Sequence, residues 1–325
     1  MGKQRRHFTS EDKVQAQGTL KSDHVRWINM CDDMIKSWAK FERYFASREK
    51  RMRRFLQRSV AYPIGKMRGN AIETFWGFNN FGDLITPILL REIGYTPVRS
   101  KSINSSQLLF VGSILDNICD DFDGVILGSG FLNKETAQRV DRATVLGLRG
   151  ELSKKQLGLT ENLQLGDCGL LLPKFFKEKP KPKYKIGIIP HYVDANDARV
   201  HRWITRFREA ANVINVNQDP RAVFYQVCSC EYIVSSSLHG LVVADSLGIA
   251  NLWICLSDLC GHGTHKFIDY YSAFNVNRSP YNPNGNETID ELIGMTVKPP
   301  DAVPDVIEKL YDIFLSLPRY IAKVN

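Results

Sequence analysis

The fold of this chain is decided by residues 232–249, YIVSSSLHGLVVADSLGI. The apolar run Tyr232-Ile233-Val234 is typical of a buried strand, and a small-residue helix with apolar positions is predicted to begin at Leu238. Three serines and His239 therefore fall where a strand meets a helix N-terminus. Free N–H groups and the positive end of the helix dipole favour an anion there, and a histidine can exchange a proton near neutral pH. This stretch predicts an anion site with its own acid or base.

Short apolar runs without polar alternation recur on both sides of this junction. The candidate strands are 74–78, 108–111, 124–127, 144–148, 185–190, 213–216, 231–235 and 252–256. Helical patterns alternate with them, at 83–93, 198–211, 221–230, 238–247 and 303–317. Such runs are typical of parallel strands that are buried on both faces. The sequence predicts an α/β protein with two Rossmann-like domains facing across a cleft, where ligands bind at the strand ends.

The domain boundaries follow from changes in composition. Residues 1–68 hold 17 Lys and Arg against seven Asp and Glu, and they include an amphipathic helical pattern over 24–58. A Lys/Pro stretch at 174–184 is typical of a linker, whereas 275–300 has the composition of a long loop. The predicted segments are a basic helical arm (1–68), an N-terminal Rossmann-like domain (69–178), a C-terminal Rossmann-like domain (179–300) and a C-terminal helix (301–325).

Charge and cysteine content limit the classes of protein. The 325 residues contain no apolar run long enough for a transmembrane helix and no secretory h-region near residue 1. Seven cysteines without paired CxxC spacing predict reduced thiols in a cytoplasmic protein and no metal cluster. The basic arm carries no nucleic-acid-binding motif, so we expect it to contact an anionic inner membrane face rather than nucleic acid.

Motifs along residues 70–275 resemble those of the polysaccharide pyruvyl transferases, and they come in that family's order. They are Asn80-Phe81-Gly82-Asp83, Gly112-Ser113-Ile114-Leu115, Gly128-Ser129-Gly130, Leu148-Arg149-Gly150-Glu151, Gly166-Asp167-Cys168-Gly169, Ile188-Ile189-Pro190-His191, Ser237-Leu238-His239-Gly240 and Lys266-Phe267-Ile268-Asp269. The resemblance implies a GT-B-like fold. It also implies transfer of pyruvate from phosphoenolpyruvate, a co-substrate and not a bound cofactor, to a hexose as a ketal, expected to be 4,6-linked. Many members carry arginine where this chain has Ser237, so that role must fall to Arg149, to the hydroxyls of Ser235–Ser237 or to another cation.

Phosphoenolpyruvate needs cations or helix N-termini for its charges and an acid for its methylene carbon. His239 is the candidate acid or phosphate clamp, and Arg149 is the candidate donor clamp because its fork suits phosphate and carboxylate. Asp83 is either the base on the acceptor hydroxyl or the cap of its helix. The expected donor-binding residues are Arg149, Ser235, Ser236, Ser237, His239, Gly240 and Lys266. The expected acceptor-binding residues are Asn80, Asp83, Gly128, Ser129, His191 and Tyr270.

Purely structural roles stay open for several of these residues. His239 could cap a helix, Lys266 could lie on a solvated helix start, and glycine loops are common at strand ends. Addition of a hydroxyl to phosphoenolpyruvate needs no metal, so none is expected. Two rival functions also remain: a glycosyltransferase of the same fold that uses a nucleotide sugar, and a non-catalytic scaffold. The acceptor sugar, the linkage, the stereochemistry of the ketal and the oligomeric state stay open.

Overall fold

The computed structural model describes residues 57–77, 80–133, 137–177, 179–257 and 263–324. The chain divides into two compact units, Met1–Ile64 and Gly65–Asn325. In the first unit only residues 57–64 are described, and they include a π-helical segment, Gln57–Ala61. The predicted basic arm and its amphipathic helix therefore lie almost wholly outside the described residues.

The first sheet lies in the second unit and has six strands in the order β2-β1-β3-β4-β5-β6, all paired in parallel. The strands are β1 (Ala71–Phe75), β2 (Thr96–Arg99), β3 (Leu108–Leu109), β4 (Val125–Leu127), β5 (Thr144–Leu148) and β6 (Gln164–Leu165). The helices of this part are α1 (Tyr62–Arg68, which begins in the first unit), α2 (Phe81–Glu92), α3 (Glu151–Gln156) and α4 (Leu172–Phe175). Two 3-10 helices accompany them in the described residues, Leu115–Asn117 and Cys168–Leu171, and the second contributes to the site.

The second sheet has four parallel strands in the order β10-β9-β7-β8. The strands are β7 (Tyr184–Ile189), β8 (Ala211–Val213), β9 (Cys230–Ser235) and β10 (Asn251–Trp253). The helices are α5 (Ala198–Phe207), α6 (Pro220–Cys228), α7 (Leu238–Ser246), α8 (His265–Ser272), α9 (Ile289–Gly294) and α10 (Val303–Ile321). These two parallel sheets with their helices confirm the predicted α/β class.

One hydrophobic cluster contains residues from both sheets, including Leu108 and Val125 of the first and Ile233 of the second. The C-terminal helix α10 joins this core, and its Phe314 stacks on Phe110 with ring centroids 5.3 Å apart. Burial of such apolar side chains supplies most of the free energy that holds the layers together. The GT-B-like arrangement and the boundaries at 178 and 300 remain predictions.

Two elements differ from the sequence prediction for identifiable reasons. The edge strand β2 was missed because Pro97 argues against a strand, although proline is tolerated at a sheet edge. The supposed loop 275–300 contains α9, which begins at a capping box formed by Thr288 and Glu291. The T-x-x-E spacing was therefore a helix signal inside a segment that is otherwise rich in Asn, Pro and Gly.

The predicted reduced cysteines are confirmed at Cys119, Cys168, Cys228 and Cys230, which are free thiols. The prediction is wrong at Cys255, which is disulfide-bonded. Among the described residues, no helix combines the length and the apolar character that a membrane crossing needs. The cytoplasmic location and the membrane contact of the arm stay predictions.

Candidate functional site

The predicted junction between strand and helix is present: β9 ends at Ser235 and α7 begins at Leu238. The Ser235 hydroxyl donates to the Ile189 carbonyl at 3.0 Å and accepts from the Ser237 amide at 3.0 Å. A Cβ atom on Gly240 would lie 2.5 Å from that hydroxyl. Ser235 and Gly240 therefore shape the turn, and the structure does not direct the buried Ser235 hydroxyl toward a ligand.

Ser236 ties this turn to the neighbouring strand end. Its hydroxyl donates to Oδ2 of the buried Asp194 at 2.6 Å and accepts from the His191 amide at 2.9 Å. Ser237 occupies the cap position of α7, but its side chain makes no capping hydrogen bond. Because a helix start has backbone N–H groups without helical partners, an uncapped start favours an anion.

His239 lies between two motifs that are far away in sequence. Its Nε2 atom is 3.7 Å from Oδ2 of Asp167, and the two side chains are 15% and 0% exposed. A Cβ atom on Gly82, in the first turn of α2, would lie 2.1 Å from its Nδ1 atom. Burial lowers the pKa of His239 below its ordinary value, an effect that Asp167 opposes and that Lys266 reinforces. The imidazole is therefore neutral at neutral pH unless a further negative charge arrives.

The side chains that act on one another here form one cluster: His239, Asp167, Lys266, His191, Asp194, Asp83 and Arg149. Lys266, near the start of α8, is a cation of this cluster. Burial lowers its pKa to about 8, and the positive charge of Arg149 acts in the same direction. The carboxylates of Asp194 and Asp83 oppose this shift. The three partners come from three separate segments and Lys266 is partly buried, which argues against the alternative of a solvated helix start.

His191 completes the cluster on the side of β7. Burial lowers its pKa to about 4, and Lys266 also lowers it, whereas Asp194 raises it. Its ring lies against that of Tyr192, with centroids 4.3 Å apart. Tyr192 remains 46% exposed, so an aromatic face is accessible at the edge of the cluster.

Arg149 follows β5, as expected, but its guanidinium is fully buried. Its Nε atom donates to Oδ2 of Asp269 at 2.9 Å, Nη1 donates to the Ser113 hydroxyl at 2.6 Å, and Nη2 donates to the carbonyl of Phe131. All three nitrogens thus have protein acceptors. In this conformation Arg149 links α8 to the first sheet, and direct contact with a donor stays a prediction.

The first turn of α2 settles one alternative. Asn80 is the cap, since its side-chain oxygen accepts from the Asp83 amide at 3.0 Å. The reading of Asp83 as the helix cap is therefore wrong, because Asp83 lies three residues inside it. The Asp83 carboxylate instead acts on Lys266.

Three expected acceptor-binding residues lie in the protein core, and their contact with an acceptor stays a prediction. The Ser129 hydroxyl donates to the Phe110 carbonyl at 2.5 Å and is fully buried. A Cβ atom on Gly128 would lie 2.5 Å from Sγ of Cys168. The buried Tyr270 hydroxyl donates to Asp245 at 3.0 Å. Tight packing explains the small residues after β4.

Three carboxylates of the site were not among the predicted site residues: Asp167, Asp194 and Asp269. Each lies in or beside a motif that the sequence displays, and each is buried. A buried carboxylate needs hydrogen-bond donors or a cation, so acidic residues inside apolar motifs were the available signal. In the part of the chain that the structure describes, no group of three or more His, Cys, Asp or Glu side chains is placed to hold a metal ion.

Fold and site together define a parallel α/β protein with a histidine, a lysine and carboxylates gathered around strand ends and a helix start. The family model for polysaccharide pyruvyl transferase matches residues 31–254, over two thirds of the chain. The chain belongs to this family.

An uncharacterized protein of Acanthamoeba polyphaga mimivirus is 34% identical over 199 residues, which are 57% of this chain and 66% of that protein. The matched part therefore spans slightly less than two thirds of that relative's length. No solved structure matches this chain significantly.

Proposed function

We propose that this protein transfers the pyruvyl group of phosphoenolpyruvate to a hexose of a polysaccharide or of its lipid-linked precursor. The product is a ketal, 4,6-linked, and inorganic phosphate is released. One observation carries the proposal: in a member of this family, Lys266 acts on His239, which lies in the first turn of the uncapped helix α7.

The chemistry balances with the substrates alone. A proton is added to the methylene carbon of phosphoenolpyruvate, and the C2 cation that forms accepts a first sugar hydroxyl. Phosphate then leaves C2, and a second hydroxyl closes the ketal. The two sugar hydroxyls release two protons: one balances the proton added to the methylene carbon, and the other departs with phosphate. The protein must therefore bind three negative charges and supply an acid.

Lys266 and the start of α7 form the donor side of this proposal. The helix start lacks a capping side chain at Ser237, so its N–H groups suit a phosphate or carboxylate oxygen. An ammonium group with a pKa of about 8 is charged at neutral pH and loses its proton above that value. Affinity for phosphoenolpyruvate is therefore expected to fall as the pH rises through about 8.

His239 is the acid. Its pKa is held down by burial and by the nearby cations, and the negative charge of the bound donor raises it because an opposite charge stabilises imidazolium. The protonated acid therefore forms when the donor is present.

The acceptor side comprises Asp83 as the base on a sugar hydroxyl, with Asn80 and His191 beside it. The exposed face of Tyr192 offers apolar surface to a pyranose ring. We further propose a GT-B-like pair of domains and a cytoplasmic location. The basic segment 1–68 would hold the protein on an anionic inner leaflet, where a lipid-linked acceptor lies.

The decisive experiment mixes the full-length protein with phosphoenolpyruvate and β-glucosides, β-galactosides or β-mannosides, and follows phosphate release and product mass. We expect acceptor-dependent phosphate release with a matching ketal. Lys266→Met is expected to weaken phosphoenolpyruvate binding in calorimetry. Lys185→Met is the matched control, because that lysine is exposed and pairs with Glu231. Absence of both turnover and donor binding would refute the proposal and favour a nucleotide-sugar glycosyltransferase or a scaffold.

The proposed membrane contact has a separate test. Replacing the basic residues at 48, 50, 51, 53 and 54 by glutamine is expected to reduce co-sedimentation of the full chain with phosphatidylserine vesicles, and less so at high salt. Equal sedimentation of both proteins would refute that role for the arm.

A further inference from the structure

Two buried polar atoms without hydrogen-bond partners face each other in the site. Among the described side chains only three nitrogen or oxygen atoms are enclosed and lack a partner: Oδ2 of Asp167, Nε2 of His239 and Nε of Arg278. The first two are 3.7 Å apart. Since buried polar groups are nearly always paired, this couple points to a function.

The distance between Nε2 and Oδ2 excludes a bridging water and leaves a direct hydrogen bond as the way to pair the two atoms. It is longer than an ordinary N–H···O bond, and it is too short for a bridging water, which needs about 5 Å between the outer atoms. A shift of about 0.8 Å would give a charge-assisted hydrogen bond of normal length.

The remaining atoms of both side chains fix the orientation of the pair. Oδ1 of Asp167 accepts from the Gly169 amide at 2.8 Å, which aims Oδ2 at His239. Because Nε2 is enclosed, the exposed part of His239 lies elsewhere on the ring, whose one other nitrogen is Nδ1. Gly82 packs against the Nδ1 edge, where a Cβ atom would lie 2.1 Å from Nδ1, so only glycine leaves room for the ring there. Among the atoms of His239, Nε2 and not Nδ1 is enclosed without a partner.

We propose that Asp167 is a positioning residue that accepts the Nε2–H of His239 and leaves Nδ1 as the nitrogen that exchanges a proton with the donor. The identity of that donor rests on the proposed function, but the arrangement of protons on the ring does not. In the reaction, Nδ1–H of the imidazolium gives its proton to the methylene carbon. Asp83 takes the proton of the first sugar hydroxyl, which departs with phosphate, and Nδ1 regains one from the second hydroxyl. The other proton stays on Nε2 throughout, and Asp167 accepts its hydrogen bond.

The groups that act on His239 come from several elements. Asp167 precedes the 3-10 turn at 168–171, Lys266 lies on α8, and Arg149 follows β5. His191, which follows β7, also interacts with it. Asp167 is the one anion among these four, so it is the group that favours a proton on the ring nitrogen facing it.

Asp167→Asn provides the test. The amide oxygen can still accept from Gly169, while the amide nitrogen presents a donor to Nε2 and forces the proton of neutral His239 onto Nδ1. Asp219→Asn is the matched control. Asp219 caps α6 through the same bond to the amide two residues on, at 2.9 Å, and lies outside the cluster.

Nitrogen NMR of histidine-labelled protein, with His239 assigned by its loss in His239→Gln, reports which nitrogen is protonated. We expect Nε2–H in the wild type and in Asp219→Asn, and Nδ1–H in Asp167→Asn. In the transfer assay, kcat of Asp167→Asn is expected to fall by about 10²-fold or more, with little change in the KM for phosphoenolpyruvate.

The wild-type spectrum alone can overturn the inference, so the test does not depend on folding of the variant. A wild-type proton on Nδ1, or an unchanged kcat in a folded Asp167→Asn protein, would refute it. If the NMR result is as expected but no variant or wild type transfers pyruvate to any acceptor, the proposed function fails and the role of Asp167 in setting the tautomer stands.

Discussion

Removing the Asp269 carboxylate is expected to destabilise the protein strongly. This side chain accepts from Arg149 Nε at 2.9 Å, from the Ser153 amide at 2.8 Å and from the Ser153 hydroxyl at 2.6 Å. Neither Arg149 nor Asp269 has any exposed side-chain surface. Asp269→Ala would therefore leave a buried guanidinium with an unpaired Nε and would also free two donors on Ser153.

The size of the effect follows from that burial. Breaking a buried ion pair by removing one partner costs about 3–5 kcal/mol, because the remaining charge is left without compensation. The Nη1 and Nη2 atoms of Arg149 keep their bonds to Ser113 and Phe131. These two bonds keep the guanidinium in place, so we expect about 3 kcal/mol, the lower end of that range.

Urea denaturation followed by tryptophan fluorescence measures this loss. Lys185→Met is the control, because the Lys185–Glu231 pair is 48% and 45% exposed and an exposed pair contributes little; its midpoint is expected to stay unchanged. Arg149→Met/Asp269→Ala should cost less than the sum of the single variants, because it removes both charges. A loss below about 1 kcal/mol for Asp269→Ala would refute the view that this pair supports the site.

Three further predictions concern the cluster itself. Gly82→Ala is expected to lower kcat because its Cβ would overlap the His239 ring, whereas Gly294→Ala, with nothing within 4 Å, should leave kcat unchanged; equal kcat values would contradict this. Tyr192→Ala is expected to raise the hexoside KM about fivefold through the loss of about 1 kcal/mol of apolar contact, whereas Tyr192→Phe keeps the ring. Equal KM values for these two variants would contradict stacking of the sugar on Tyr192. Because the pKa of His191 is lowered to about 4, the unfolded chain takes up the proton first, so stability falls as the pH drops from about 6.5 to 4. His191→Gln should lessen that fall, and identical urea midpoints against pH would rule out this residue as its source.

The sequence predicted the strands that have continuous apolar runs. The prediction is within one residue at each end for three of them: Val125–Leu127, Thr144–Leu148 and Tyr184–Ile189. Such runs suffice because a parallel strand is buried on both faces. The strand predicted at 213–216 is found instead at Ala211–Val213. Its three residues are all half-buried and include Asn212, so no continuous apolar run marks its bounds.

The site was predictable only in part, for a physical reason. Motif position indicated His239 and Lys266, because strand ends and helix starts can be read from local patterns. Burial and pairing could not be read in this way: Arg149 and Asp269 are 120 residues apart in sequence and form one buried pair. An arginine at a strand end has the same local pattern whether it faces solvent or a carboxylate.

The serine at position 237 provides a final prediction. If Lys266 supplies the cation that the family resemblance places at that position, then adding an arginine there should make the lysine dispensable. Lys266→Met alone is expected to weaken phosphoenolpyruvate binding about tenfold or more, since a charge-assisted hydrogen bond contributes about 1.5–3 kcal/mol. Ser237→Arg/Lys266→Met should recover most of that affinity, and its binding should no longer weaken as the pH rises through 8, because a guanidinium keeps its proton there.

Calorimetric titration of phosphoenolpyruvate at pH 7 and pH 9 separates the two outcomes. Ser237→Lys is the matched control for the guanidinium, because its ammonium can still titrate. Recovery of affinity together with the loss of the pH dependence would assign the donor cation to Lys266. If Lys266→Met binds as tightly as the wild type, the cation is another group; Arg149 would then have to leave Asp269 to reach the donor, and Asp269→Ala would strengthen binding instead of merely destabilising the fold.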